Sequence, residues 1–275
     1  MATAGPDPIL SDTFAGHSGP IGDMMTIQRS AVVTGGASGI GLAIAKSFIA
    51  QGWRVLLVDV SASVTQIAED LSTSALQVHG HRADLSAEAE VLGTAAAAKR
   101  LLGGCDVLVN CAGVSMKRDG QPIPPLEVTT ADWQRVLFVN LTTPFLLCRE
   151  LIPGMKEKGW GRVINITSRA GRTYVQPAGV DYAASKAGLV GLTRHLGGTF
   201  APFGVTVNCI APGRVETPLS SQSSPEVIAN AVKGIPVGRL GTTEEIAAAA
   251  QYLASDAASY ITGFCLDVNG GAFIG

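Results

Sequence analysis

Tyr182 and Lys186 are the two residues whose types and spacing most directly suggest chemistry. They stand four positions apart in the run Tyr-Ala-Ala-Ser-Lys, which places them on one face of a helix. A free phenol has a pKa near ~10 and is a poor proton donor or acceptor at neutral pH, but an ammonium group beside it favours phenolate and lowers that pKa. The spacing therefore predicts Tyr182 as a general acid or base with Lys186 as its partner, although two ordinary helix neighbours have the same spacing.

A glycine-rich segment follows the first predicted strand and opens the first predicted helix. It reads Thr-Gly-Gly-Ala-Ser-Gly-Ile-Gly and contains Gly35, Gly39 and Gly41. Glycines at such a junction permit a tight turn and let backbone N–H groups approach an anion at the helix N-terminus. The segment predicts a dinucleotide site that includes Ser38 and Ile40, and an ordinary strand–helix turn is the alternative.

Two acidic residues follow the second and third predicted strands. Asp59 stands where a carboxylate can accept hydrogen bonds from both ribose hydroxyls of an adenosine and repel a 2′-phosphate. Because Ser38 and Val60 offer no basic group for such a phosphate, NAD(H) is favoured over NADP(H) as the cofactor. Asp84 is predicted to accept from the adenine amino group, with Leu85 beside it. Loop or helix capping is the alternative role for each acid.

The fourth predicted strand ends in Asn-Cys-Ala-Gly. Small residues at the carboxyl edge of a parallel sheet leave room for a ligand where the strand order reverses. We therefore predict that Asn110, Ala112 and Gly113 belong to the same cofactor site.

Composition limits the classes of protein to consider. The net charge of −2 gives no reason to expect nucleic acid or an anionic membrane as a partner, and no apolar run approaches the ~20 residues of a membrane helix. Only 15% of the 275 residues are charged, against a usual ~25%, so we expect extra burial in an oligomer. The five scattered cysteines and four histidines form no ligand pattern. This predicts reduced core thiols in a cytoplasmic protein without a metal.

Short apolar runs alternate with helical stretches from residue 29 onward, after a Pro- and Gly-rich start that we expect to be a flexible extension (residues 1–28). Strands are predicted at 31–34, 54–59, 76–81, 106–110, 162–167, 205–211 and 265–268. Helices are predicted near 40–51, 64–71, 87–102, 130–157, 181–201 and 243–254. Apolar strands separated by helices indicate a parallel sheet covered on both faces, and residues 29–275 are expected to form a single domain.

Five motifs in this order resemble the short-chain dehydrogenase/reductase family. They are Thr-Gly-x-x-x-Gly-x-Gly, Asn-x-Ala-Gly, a serine, Tyr-x-x-x-Lys and Pro-Gly, and the likeness runs from about residue 29 to residue 275. The resemblance implies an α/β, single-domain doubly wound (Rossmann) fold with a seven-stranded parallel sheet in the order 3-2-1-4-5-6-7. It also implies a nicotinamide cofactor, hydride transfer to or from a carbonyl carbon, and a homotetramer or homodimer joined through long helices.

The resemblance assigns roles to single residues as well. Ser168 matches the family's substrate-orienting serine, and with Asn140, Tyr182 and Lys186 it completes the predicted catalytic set. Tyr182 and Lys186 also count among the predicted cofactor contacts. Ser168 and Tyr182 are fourteen positions apart, slightly more than the commonest family spacing, which the loop between them can absorb. The segment that holds the nicotinamide amide is matched by Pro212, Gly213, Val215 and Thr217.

Pro144 gives Asn140 a physical rationale that needs no family likeness. Proline has no N–H, so the Asn140 carbonyl four residues earlier loses its helical partner and the helix should bend. A freed carbonyl needs another donor, often water, and such a water could reach Lys186 and form a proton exit. A packing kink without a chemical role is the alternative.

Three segments are expected to cover the substrate, at residues 114–128, 169–179 and 214–238. In the third, the serine-rich run at 220–224 suggests a flexible lid before a helix. Arg169, Arg172 and Arg214 either meet an anionic substrate or are solvated loop charges.

The leading hypothesis is an NAD(H)-dependent oxidoreductase that interconverts a secondary alcohol and a ketone. A 3-oxoacyl-thioester (acyl-carrier-protein) reductase using NADPH is one alternative, which Asp59 opposes, and a sugar or polyol dehydrogenase is another. A sugar-nucleotide epimerase or dehydratase needs a different glycine spacing and a longer C-terminal domain. A non-catalytic dinucleotide sensor has no need of a tuned phenol, so the set of Ser168, Tyr182 and Lys186 argues against it.

Overall fold

A computed structural model gives the structure of the chain and describes residues 28–217 and 225–275. The predicted extension therefore lies outside the described residues except for its last position. The predicted serine-rich lid at 220–224 lies outside them as well.

Seven parallel strands form the central sheet, in the spatial order β3-β2-β1-β4-β7-β8-β9. In chain order they are β1 (Ser30–Thr34), β2 (Arg54–Asp59), β3 (Val78–Arg82), β4 (Val107–Asn110), β7 (Gly161–Ile166), β8 (Val205–Pro212) and β9 (Cys265–Val268). Counted among themselves, these strands have the predicted order 3-2-1-4-5-6-7, so the predicted fold class is confirmed. β1 pairs with β2 on one side and β4 on the other, which puts the reversal of strand order at β1.

Helices cover both faces of the sheet. They are α1 (Gly39–Ile49), α2 (Ser63–Leu71), α3 (Glu88–Leu102), α4 (Thr130–Leu137), α5 (Thr143–Lys158), α6 (Val180–Phe200), α7 (Pro225–Lys233) and α8 (Thr243–Ala254). Every residue of β1, β4, β7 and β8 is buried, which is why these strands read as continuous apolar runs. One core cluster includes Phe48 of α1 and Leu253 of α8, and the other includes Leu102 of α3 and Leu147 of α5.

The single helix predicted at 130–157 is interrupted. A π-helical turn, Phe138–Thr142, separates α4 from α5, and the Thr143 N–H donates to the carbonyl of Phe138 five residues earlier. Pro144, which cannot donate the next helical hydrogen bond, follows at once. The irregularity expected in the helix at Asn140 is therefore a π turn, and Asn140 lies within this turn.

A small antiparallel hairpin was not predicted. Its strands are β5 (Lys117–Arg118) and β6 (Gln121–Pro122). Asp119 and Gly120 join them with φ of 50° and 76°. An Asp-Gly pair with positive φ at both positions is a strong hairpin signal. The other predicted strands and helices agree with the structure to within two residues at each end.

One helical span corrects the expectation that no apolar run approaches the length of a membrane helix. Within the described residues, Thr130–Lys158 is long and apolar enough to cross a membrane by length and composition alone. However, 56% of its most apolar window is buried inside the fold, because α5 packs against both the sheet and α3. The helix is a core element.

Candidate active site

The carboxyl ends of the central strands open into a crevice at the reversal of strand order. Its volume is about 620 Å³, within the range of about 300–1,000 Å³ that small-molecule sites occupy. All but two of the predicted site residues line it. The predicted residues that line the crevice are Gly35, Ser38, Gly39, Ile40, Gly41, Asp59, Asp84, Leu85, Ala112, Gly113, Ser168, Tyr182, Lys186, Pro212, Gly213, Val215 and Thr217.

The glycine turn between β1 and α1 is shaped by positions that tolerate no side chain. Gly35 and Gly39 have φ of 67° and 51°, a region that glycine enters without cost. A Cβ on Gly41 would lie 2.1 Å from the Gly35 carbonyl oxygen. Ser38, the N-cap residue of α1, makes no capping hydrogen bond with its side chain, and the first N–H groups of a helix have no intrahelical partner. The turn therefore fits the phosphates of a dinucleotide.

Asp59, at the end of β2, and Asp84, just after β3, both line the crevice; their predicted contacts with an adenosine stay a prediction. The Asp59 carboxylate accepts from the Ala37 N–H at 3.1 Å and the Ser61 N–H at 2.9 Å, which ties the glycine turn to the end of β2. Asp84 Oδ1 accepts from the N–H and the hydroxyl of Ser86, at 3.0 and 2.7 Å. These two hydrogen bonds hold the pKa of Asp84 below its usual value. The alternative of a helix cap is wrong for Asp84, because α3 begins after Ala87.

Asn110 does not line the crevice, although it was predicted as a cofactor contact. Its amide donates to the Asn165 side-chain oxygen at 2.8 Å, inside the sheet between β4 and β7. Successive side chains of a strand point to opposite faces, and spacing along the sequence did not show which face this one takes.

Asn140 is fully buried in the π turn and also lies outside the crevice lining. Its side chain accepts from the Val114 N–H at 2.8 Å and donates to the Val114 carbonyl at 2.9 Å. It also donates to the Ser185 hydroxyl at 3.0 Å. Asn140 thus fastens the segment after β4 to α6, and the route from its carbonyl through water to Lys186 stays a prediction.

The three remaining catalytic candidates meet at one end of the crevice. The Ser168 side chain, just after β7, makes a hydrogen bond with the Tyr182 phenol of α6. Lys186, one turn further along α6, donates to the Ile166 carbonyl at 2.8 Å and lies 5.7 Å from the centre of the Tyr182 ring. A Cβ on Gly113 would lie 3.3 Å from the Lys186 nitrogen, so the end of the Asn-Cys-Ala-Gly run borders this group directly.

Burial sets the proton affinities of this pair. It raises the pKa of Tyr182, and the hydrogen bond from Ser168 offsets this only in part. Burial also lowers the pKa of Lys186 to about 8. The expected net lowering of the Tyr182 pKa is therefore wrong for this structure, because the loss of water around the phenolate outweighs the hydrogen bond from Ser168.

Several crevice residues were not predicted from the sequence. Arg135 of α4 lines the crevice, and its charge lowers the pKa of Asp84; no motif marked it. Of the three arginines considered for an anionic substrate, Arg214 lines the crevice. Arg169 instead donates to the Ala272 carbonyl at 3.1 Å, and Arg172 pairs with a carboxylate of β9 at 3.3 Å. The described residues contain no cluster of three or more potential metal ligands.

Comparison with known proteins agrees with this geometry. A family model described as "Enoyl-(Acyl carrier protein) reductase" matches residues 35–272. An uncharacterized short-chain type dehydrogenase/reductase of Sinorhizobium fredii is 35% identical over 260 residues, covering 91% of this chain and 100% of that protein. A D-beta-hydroxybutyrate dehydrogenase of Rhizobium meliloti is 38% identical over 262 residues, covering 89% and 98%. The crystal structure of a 3-oxoacyl-[acyl-carrier protein] reductase with bound NAD from Brucella melitensis is similar at 36% identity, with a TM-score of 0.83 and coverage of 90% and 92%.

The fold and the crevice define a nicotinamide-dependent oxidoreductase that acts on CH–OH groups. The chain belongs to the short-chain dehydrogenase/reductase family.

Proposed function

We propose that the protein interconverts a secondary alcohol and a ketone with NAD(H), and that Tyr182 is its general acid/base. The observation that carries the proposal is the meeting of Tyr182, Ser168 and Lys186 at the crevice that also contains the glycine turn and Asp59. A sensor would need the dinucleotide site but not the half-buried phenol with its serine partner.

The preference for NAD(H) rests on Asp59. Its carboxylate ends β2 at the crevice wall, where it would accept from ribose hydroxyls and repel a 2′-phosphate. The residues that would hold the rest of the cofactor are the glycine turn, Asp84 and the segment 212–217. When bound, the nicotinamide supplies the hydride chemistry.

The proton is the part of the reaction that this chain's own side chains handle. Because burial raises the pKa of Tyr182, the phenol is protonated at neutral pH and donates to the carbonyl oxygen during reduction. Ser168 donates a second hydrogen bond to the same oxygen and orients it. In the direction of oxidation Tyr182 must first lose its proton, which a charged Lys186 favours. Acid–base help of this kind is worth about 10²–10⁴ in rate.

Among secondary alcohols and their ketones, we favour 3-hydroxyacyl compounds and the corresponding 3-oxoacyl compounds as the substrate class. Two of the similar proteins are named for such substrates, a D-beta-hydroxybutyrate dehydrogenase and a 3-oxoacyl-[acyl-carrier protein] reductase. In both names the reacting carbon is β to a carboxylate or thioester. A sugar or polyol dehydrogenase stays an alternative, and an NADPH-dependent thioester reductase is the alternative that Asp59 opposes.

We also propose a homotetramer or homodimer in the cytoplasm, without nucleic acid or membrane as partner. The low fraction of charged residues and the half-exposed aromatic side chains Trp133 and Phe145 on α4 and α5 support the oligomer. The free thiol state of all five cysteines is compatible with a reducing compartment. Light scattering at two protein concentrations measures the oligomeric state.

The test is a panel of secondary alcohols, sugars and 3-oxoacyl thioesters, followed at the nicotinamide absorbance with both cofactors. We expect turnover of a 3-oxoacyl or 3-hydroxyacyl compound, faster with NAD(H) than with NADP(H), and turnover about 10²- to 10⁴-fold slower in a Tyr182→Phe variant. A strong preference for the phosphorylated cofactor would overturn the role given to Asp59. Absence of turnover across the panel, with intact fold, would overturn the proposed activity.

A further inference from the structure

Outside the crevice, an ion pair between Arg239 and Glu245 closes a turn formed by residues 239–245. Arg239 precedes α8, and Glu245 lies in its first turn. Arg239 donates through both terminal nitrogens to the two Glu245 oxygens, at 3.0 and 2.6 Å. Glu245 also accepts from the Thr242 N–H at 2.8 Å, and the Thr242 hydroxyl accepts from the Glu245 N–H at 3.2 Å. Arg239 further donates to the Leu240 carbonyl at 3.0 Å. Exposed ion pairs usually contribute little, but a two-pronged pair that belongs to a network is the exception.

Gly241 lies inside this turn and connects it with the crevice wall. Its N–H donates to the Arg214 carbonyl at 3.0 Å, and its own carbonyl accepts from the Glu216 N–H at 2.8 Å. These bonds form an isolated parallel bridge between Val215 and Gly241. Val215 is 7% exposed and lines the crevice. The segment that leaves the sheet after β8 is thus held in register by a residue of the Arg239–Glu245 turn.

Packing gives the turn and the crevice wall a direct contact. A Cβ on Gly241 would lie 3.6 Å from both Glu245 Oε2 and Val215 Cγ2. The ion pair and the crevice wall therefore both border the side of Gly241 on which a Cβ would stand. A second cavity, of about 170 Å³, is lined by Gly241 and by both members of the ion pair. Space beside Gly241 would let it move if the ion pair were removed.

We propose that Arg239 and Glu245 are positioning residues for the dinucleotide cofactor. They fix Gly241, and Gly241 holds Val215, and with it Thr217, in the wall of the crevice. This inference rests on the proposed function, because it takes the ligand of that wall to be a nicotinamide dinucleotide. Ser168 and Tyr182 stand on other elements, so loss of the ion pair should weaken cofactor binding and leave the proton chemistry intact.

Hydrogen exchange of the cofactor-free protein tests the first step. The variants are Glu245→Ala, which removes the ion pair and the side-chain acceptor for the Thr242 N–H, and Glu245→Gln, which keeps that acceptor. Arg149→Ala is the matched control, because Arg149 makes an exposed ion pair at 3.0 Å with Glu150 on α5. We expect faster exchange in peptides covering 214–217 and 239–242 for Glu245→Ala, a smaller change for Glu245→Gln, and none for the control. Unchanged exchange at 214–217 in Glu245→Ala would overturn the inference.

Binding of NADH and NADPH, measured by nicotinamide fluorescence, tests the second step. We expect Glu245→Ala and Arg239→Ala to weaken NADH binding about 5- to 20-fold, with kcat at saturating cofactor within about twofold of wild type. Normal NADH binding in variants with faster exchange would show a purely structural turn and overturn the inference. An equal loss in Arg149→Ala would overturn it too. Absence of binding by wild-type protein would overturn the proposed function itself, whereas wild-type binding with unaffected variants overturns the inference alone.

Discussion

The Ser168 hydroxyl and the Tyr182 phenol share a hydrogen bond although they stand on different elements, the turn after β7 and helix α6. Ser168 also accepts from the Ala170 N–H at 3.1 Å, at the start of the short 3₁₀ helix Arg169–Gly171. A Cβ on Gly171 would lie 2.6 Å from the Lys186 carbonyl carbon. The turn therefore packs on the α6 backbone without space between them, which keeps serine and tyrosine in register.

Replacing Tyr182 by Phe removes the proton donor and keeps the ring. We expect kcat to fall about 10²- to 10⁴-fold, with a melting temperature near that of wild type. Tyr252→Phe is the control, because Tyr252 lies half-exposed on α8, outside the crevice lining. Steady-state kinetics and calorimetry measure both effects. Full turnover by Tyr182→Phe would remove the tyrosine from the mechanism.

Replacing Asp59 by Asn tests the cofactor preference. The Ala37 and Ser61 N–H groups donate to different oxygens of Asp59, so the amide keeps an acceptor for only one of them. It also loses the charge that repels a 2′-phosphate. We expect the ratio of kcat/KM for NADH over NADPH to fall about tenfold or more, since each ~1.4 kcal/mol of lost discrimination is a factor of ten. Asp84→Asn, in the same crevice, should leave this ratio near that of wild type. A ratio that is equal in both variants and wild type would contradict the role of Asp59.

Much of the fold and most of the crevice follow from local signals in the sequence. Continuous apolar strands imply a sheet covered on both faces, and four of the seven strands in the sheet are buried along their whole length. The need for glycine at position 41 could be recognised from the sequence because its cause is local. Any side chain at that position would clash with the Gly35 carbonyl. Tyr182 and Lys186 share a helix face, so a spacing of four was enough to bring them to one place.

Other features depend on contacts that spacing does not contain. The direction of the Asn110 side chain is decided by Asn165 on the neighbouring strand. The rise in the Tyr182 pKa comes from burial by several elements, so a rule about neighbouring charges gave the wrong sign. Arg135 reaches the crevice from α4 without a motif around it. Pro144 is a visible reason in the sequence for a distortion of the helix. That the distortion is a π turn could be seen only in the folded structure.

Replacing Pro144 by Ala tests whether the π turn matters to the reaction. Alanine restores an N–H that can pair with the Asn140 carbonyl four residues earlier, so the helix can become regular. The Asn140 side chain would then shift from Val114, which it contacts at 2.8 and 2.9 Å. We expect kcat to fall about tenfold or more and the alkaline limb of its pH profile to move.

Pro153→Ala is the control for this change, because Pro153 lies inside α5 beyond the π turn. It should leave both kcat and the pH profile near those of wild type. Unchanged activity and pH profile in Pro144→Ala would reduce the π turn to a packing feature.

Lys186 makes the stability of the protein depend on pH in a predictable direction. Its pKa is about 8 in the folded chain, against an ordinary value of 10.5. Between these two pH values the unfolded chain binds more protons than the folded chain, so the free energy of unfolding rises with pH. Below pH 8 the cost of burying the charged lysine is fully present. The difference in pKa corresponds to a penalty of about 3 kcal/mol. Above pH 9 the buried thiols of Cys111 and Cys148, whose pKa is raised to about 12, act in the opposite direction.

A Lys186→Met variant isolates this contribution, since methionine is of similar length and does not titrate. Urea unfolding between pH 7 and 9 should show the wild type gaining about 1 kcal/mol relative to the variant. The Cys148 thiol contributes equally to both proteins and cancels in the difference, whereas the Cys111 thiol interacts with the Lys186 charge, so its pKa should rise further in the variant. Activity of the variant should be lost across the same range, because no ammonium then stands beside Tyr182. A difference in the free energy of unfolding that stays constant with pH would mean that Lys186 keeps its ordinary pKa, and that it is charged at every pH where the enzyme works.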